Sequence, residues 1–187
     1  MIMPETNSIV TTDRLLSSWI RCKRKAWLES FGKKEMKKWS SHRSLQLDHQ
    51  YKSLISFCSS KPGSGVNAFR KGFKHIIGIR LKGDFKEYGL LTGHPMLINK
   101  IKGQSRFGNF QYEPVIARQG KKITQNHRLL LTLWGVLLTE FQQADVNEGM
   151  VISQTQHRLE VNKLKLTIQL RKQLKEAIKK IKNDLKT

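Results

Sequence analysis

Residues 127–143, HRLLLTLWGVLLTEFQQ, constrain this chain more than any other stretch. Wound at 3.6 residues per turn, their leucines, Trp134 and Val136 leave almost no polar side. A helix that is apolar nearly all round must be buried, and here it is expected to pack across strands. Thr124 stands at the N-cap position that would start it.

The strands come from the segments around that helix. FKHIIGIRLKG (73–83), EYGLLTGHPMLINKI (87–101) and NFQYEPVIARQ (109–119) are short, β-rich and separated by Gly-containing turns. Residues 89–101 and 109–118 read as the strongest pair, with SRFGN as the turn between them. NEGMVIS (147–153) reads as a further strand, and HRLEVNKLKLTI (157–168) as a small hairpin. The last segment puts Leu170, Leu174, Ile178, Ile181 and Leu185 on one helical face.

Upstream of the breaker KPGSG (61–65) the texture is helical. Thr12 or Asp13 can cap a helix from about Arg14, and Leu15, Leu16, Trp19 and Ile20 form its stripe. CKRKAWLESFG continues in helical style towards Gly32, with Trp27, Leu28 and Phe31 as its apolar members, and Trp27 is expected in the core. Cys22 is expected as a small buried residue. SHRSLQLDHQYKSLISFCSS (41–60) is a second helix. The predicted class is α+β: a central mixed sheet flanked by helices, with an N-terminal helical segment and a C-terminal hairpin and helix. Residues 1–12 are expected to be a flexible lead. Residues 13–187 are expected to form one domain, with a helical part at 13–60, a sheet core at 66–155 and the hairpin and helix at 156–187.

The charge balance narrows the partners. With 35 Lys and Arg against 14 Asp and Glu, the formal net charge is +21. A field of that sign attracts polyanions, nucleic acid first among them. No apolar run approaches the roughly 20 residues of a membrane-spanning helix, and no membrane partner is expected. Residues 1–12 lack a basic region followed by an apolar core, so no secretory leader is expected. Two cysteines make neither a disulfide framework nor a zinc pattern, which suits a reducing, cytoplasmic location. Basic residues cluster at Arg21, Lys23, Arg24 and Lys25, and again at Lys121, Lys122, His127 and Arg128. These are the candidate nucleic-acid contacts. The second cluster surrounds a helix N-terminus, where backbone N–H groups suit a phosphate.

The order of elements, with particular residues in it, resembles the RecB-like branch of the PD-(D/E)XK nuclease superfamily, which includes Cas4-type proteins. The resemblance covers roughly residues 13–155. TTDRLLSSWIRCKRKAWLES is similar to that branch's opening. SLQLDHQYKSL resembles its helical His motif, which falls on His49. LLTGHPMLINKI resembles the strand that ends in Gly-x-Pro-Asp, with Met96 at the Asp position. FQYEPVIAR resembles the strand ending in Asp/Glu-x-Lys, with Ile116, Ala117 and Arg118 at those three positions. HRLLLTLWGVLL resembles the helix with Gln-x-x-x-Tyr, with Leu130 and Trp134 in those places.

The resemblance implies a restriction-endonuclease-like fold and metal-dependent phosphodiester hydrolysis. That reaction needs carboxylates from adjacent strands to hold Mg²⁺ or Mn²⁺, and a Lys to orient water. Met96 and Ile116 cannot ligate a hard cation. Arg118 keeps the charge but stays protonated. His49 alone is retained, and one His makes no hard-cation site. Glu113 is the only acid between Glu87 and Glu140, and strand alternation puts it on the face opposite Ile116. No metal ligands are therefore assigned. Some relatives hold an iron–sulfur cluster, but Cys22 has no C-terminal partners, so no cluster is expected. The expected function is nucleic-acid binding, DNA ahead of RNA, on a nuclease-like scaffold without conventional cleavage. Repair, recombination or processing is the expected setting, with a protein partner possible there. Two alternatives stand: an active divergent Mg- or Mn-dependent nuclease, and a small basic protein attached to RNA or a ribonucleoprotein.

Overall fold

The computed structural model describes residues 8–33, 41–156 and 158–186. In chain order the elements are β1 (Thr11–Thr12), α1 (Asp13–Arg21), α2 (Lys23–Phe31), α3 (Ser41–Phe57), β2 (Gly63–Ser64), α4 (Val66–Arg70), β3 (His75–Ile77), β4 (Leu81–Phe85), β5 (Gly89–Gly93), β6 (Leu97–Ser105), β7 (Gly108–Ala117), α5 (Gln125–Gln142), β8 (Glu148–Thr155), β9 (Arg158–Lys165) and α6 (Ile168–Lys186). The fold is α+β, with a central mixed sheet flanked by helices, as predicted.

That central sheet has the order β2-β3-β6-β7-β8-β9, and a smaller one has the order β1-β5-β4. Strands β6 and β7 pair antiparallel from Leu97↔Val115 to Ser105↔Gly108, a hairpin closed by Arg106 and Phe107. The next pairing, β7 with β8, is parallel. A parallel return needs a crossover, and α5 supplies it. Leu131 and Leu133 of α5 are fully buried, and each such leucine contributes about 1.5–3 kcal/mol of burial free energy. Ile76, Ile98, Tyr112, Ile116 and Val151 share the larger core with α5, and that core also takes in Leu174, Ile178 and Ile181 of α6. Leu97, Val115, Ala117, Met150 and Ile152 point the other way and meet Leu54, Phe57 and Cys58 at the end of α3. Glycine matters at position 93: a Cβ there would lie 2.9 Å from atoms of both Trp134 and Leu137. The bare backbone lets β5 press against α5.

Asp13 and Trp19 help to pin the N-terminal segment. Asp13 accepts from the His94 backbone N–H at 2.6 Å and from Trp134 Nε1 at 3.2 Å. Trp19 Nε1 donates to Asp184 Oδ2 at 2.8 Å.

Several boundaries differ from expectation. The lead expected over residues 1–12 gives way to ordered strand before its end. Thr11 and Thr12 pair, parallel, with Leu91 and Thr92, and Thr11 is fully buried. Residues 1–7 of that lead lie outside the described residues. The segment 89–101 is two strands in two sheets, because His94–Met96 interrupts it. Residues 158–165 are one strand, β9, and its hairpin is made with β8. The first helix breaks at Cys22, whose backbone is extended. Cys22 is exposed, as is Trp27, at 47%. Ala26 is the residue α2 buries, so it takes the core position expected for Trp27.

Candidate functional site

Strand β7 ends at Ala117, beside the start of α5. From the chain between them, Gln119, Gly120, Lys122 and Thr124 form one wall of a cleft of about 530 Å³. Arg21 at the end of α1, one side of α3, and Met96 close the other walls. Three positions of the resembled motifs, Met96, Ile116 and Leu130, line this cleft together although they are far apart in sequence.

Among the described residues, the polar lining carries no carboxylate. Arg21, Arg43, Lys122 and His127 supply the charged or chargeable groups, and Gln46, Gln50, Gln119, Gln125 and Asn126 supply amides. Gln50 donates to the Ala117 carbonyl at 2.9 Å, which ties α3 to the end of β7. Ser17 donates to Asn126 Oδ1 at 2.6 Å, which ties α1 to the start of α5. The Ala117 N–H donates to Met96 Sδ at 3.4 Å, so the thioether packs over the strand end.

His127 is fixed by the helix start. The Thr124 backbone N–H donates to Nδ1 at 2.9 Å. A backbone N–H can only donate, so Nδ1 keeps its lone pair and the neutral ring carries its proton on Nε2. Burial lowers the His127 pKa, and Arg118 and Arg21 lower it further. The ring is therefore neutral at pH 7 and offers a neutral donor.

Arg118 is buried and committed elsewhere. One terminal nitrogen donates to Glu160 Oε2 at 2.6 Å, and the other donates to the Gly120 carbonyl. These bonds brace the turn that follows β7. His49 is exposed and outside the cleft lining; its neighbours Gln46 and Gln50 occupy that wall. Trp134 is buried with its N–H on Asp13. Lys23 approaches Asp184 at 3.6 Å. Arg24, Lys25 and Lys121 are exposed, and Arg128 is half-buried. The structure thus brings together Arg21, Lys122, His127, Met96, Ile116 and Leu130, and leaves His49 apart. Sequence reasoning missed Arg43 and Gln50. Their signal was the polar spacing 43, 46, 50, which is one side of a helix.

The donor set does not fit the metal that the resemblance implies. At the positions where the resemblance would put two carboxylates stand a thioether and a branched alkyl group, and hard cations need oxygen. Glu113 lies on the opposite face of β7, as strand alternation predicts. It is 1% exposed and accepts from Asn99 Nδ2 at 3.3 Å. Burial raises its pKa, against the lowering effects of Asn99 and Lys163. Among the described residues, no three His, Cys, Asp or Glu side chains converge on a metal-sized site. Among the same residues, no helix is long and apolar enough to cross a membrane.

No protein-family model matches the chain, and no curated protein matches it. Among solved structures, the crystal structure of SSO0001 is similar, with a TM-score of 0.58 at 12% identity. That likeness covers 98% of this chain and 78% of the other. At such low identity it speaks for the fold alone.

Proposed function

We propose that this protein binds nucleic acid in the cleft between α3 and the start of α5, on a scaffold related to RecB-like nucleases, and does not cut it. One observation carries the reading: the place where Met96, Ile116 and Leu130 meet is lined by cations and amides, with no carboxylate among the described residues. Such a lining attracts a phosphodiester backbone and gives a catalytic divalent ion nothing to hold. The net charge of +21 supports the same ligand at long range. DNA repair, recombination or processing is the setting this reading favours.

The test is a binding titration of labelled single- and double-stranded DNA and RNA across a salt series, with cleavage assayed in Mg²⁺, Mn²⁺ or EDTA. Binding should weaken steeply with salt. R21Q/K122Q should weaken it further and shallow the log–log salt slope by about 0.7–0.9 for each phosphate no longer neutralised. No cleavage should depend on metal. Cleavage abolished by EDTA, or the absence of salt-sensitive binding, would overturn the proposal.

A further inference from the structure

Helix α2 presents an unusual surface. Trp27 is 47% exposed and Phe31 56%, and their ring centroids lie 5.5 Å apart with planes tilted by 48°. They stand four residues apart, hence one above the other on the same side of the helix. Arg24 lies three residues before Trp27, and Lys23 four, so both cations flank the ring pair. The acid of this helix, Glu29, is held by Arg14 at 2.8 Å. Ala26 points inward. The exposed side therefore combines cations with aromatic faces. It begins two residues beyond Arg21, which lines the cleft.

We infer that α2 is a stacking platform for single-stranded nucleic acid, with unpaired bases lying on Trp27 and Phe31 and the backbone running past Lys23 and Arg24 towards Arg21. Charge decides the occupant. Lys23 already faces Asp184, but an apolar protein partner would have to strip water from Arg24 without replacing it, whereas a phosphodiester chain neutralises it. Duplex DNA hides its base faces, so the rings select for unpaired strands. This inference rests on the nucleic-acid reading above and adds strand type to it.

The experiment compares the full-length chain with W27A/F31A, W27F and R21Q/K122Q. Each is titrated by fluorescence anisotropy against a labelled oligothymidine of about 20 nucleotides, a length several stacked bases can occupy, and against a blunt duplex of equal length. W27A/F31A should lose about tenfold or more in affinity for the single strand, as expected from removing base stacking. Its salt slope and its duplex affinity should not change, because no cation is removed. W27F keeps a ring and should retain most of the affinity. Both rings are exposed, so circular dichroism should report an unchanged fold. Wild-type binding that W27A/F31A leaves intact would overturn the platform and spare the cleft. Loss of affinity in W27A/F31A for single strand and duplex alike would also overturn it. No wild-type binding to either probe would overturn both readings. Wild-type binding reduced by R21Q/K122Q would sustain the cleft whatever the rings do.

Discussion

On one face of the six-stranded sheet, Ile76, Ile98, Tyr112, Ile116 and Val151 share one core with the leucines of α5, and α6 adds its own leucines and isoleucines to it. On the other face, Leu97, Val115, Ala117, Met150 and Ile152 meet the end of α3. A polar row crosses that second face: His75 pairs in register with Asn99, and Asn99 with Glu113. All three are buried. Beyond it, α3 leaves Leu45, Leu47, Tyr51 and Ile55 exposed. The contrast teaches that apolar residues at helical spacing are buried only where another layer exists to take them. Helix α5 is a middle layer. Helix α3 is an outer one, and Ser53 is the one residue it buries completely.

Substitutions can test how deep this contrast runs. The largest effect belongs to the α5 face. Leu133 is fully buried, so L133A should cost about 3 kcal/mol in chemical denaturation; a loss below about 1 kcal/mol would deny α5 its place as the middle layer.

Next comes the polar row. Glu113 has its pKa raised by burial, so the folded state holds this proton more tightly than the unfolded one. Its contribution is fully present below the unfolded pKa and is lost as pH rises through the folded value. E113Q keeps the acceptor for Asn99 and removes the charge. It should match the parent at about pH 4 and exceed its stability by about 1 kcal/mol at about pH 8. Thermal melts across that range would show it. A variant less stable than the parent at alkaline pH would mean that Lys163, at 4.0 Å, outweighs burial.

The smallest effect belongs to the outside of α3. Leu45 is 68% exposed, and L45A should change the unfolding free energy by no more than about 0.5 kcal/mol. A larger loss would erase the distinction between the two helices.

Helices α5 and α6 are legible in the sequence because a continuous apolar surface or stripe at period 3.6 has no competing explanation at that length. The β6–β7 pairing is legible from alternation around a Gly-containing turn. The division of 89–101 is not: the apolar texture runs on through Pro95 and Met96 although the backbone changes sheet. The break at Cys22 has neither Pro nor Gly to announce it. Trp27 misleads because tryptophan usually goes inside, whereas a helix of nine residues has only its Ala26 side to bury. In the candidate site, the resemblance points to Met96, Ile116, Leu130 and Trp134; the first three line one cleft, and Trp134 is buried against Asp13 instead. His49 stands one residue away from the helix side that faces the cleft, a turn of about 100° that spacing alone cannot resolve. The commitment of Arg118 to Glu160 depends on β9 joining the sheet beside β8, whereas the sequence pattern suggests a separate hairpin.

The hydrogen bond from Trp19 to Asp184 spans 165 positions of chain, and the pairing of Thr11 with Leu91 spans a long interval too. Closing loops of that size costs entropy that must be met before the contacts reward it, so such contacts form slowly. While the ribosome is still making α6, Trp19 has no native partner at position 184, although Asp13 and Ser17 can already meet Trp134 and Asn126. The Trp19 contact is thus the last of the α1 contacts to be secured, and pulse-labelled hydrogen exchange should find the Trp19 indole among the last groups to become protected.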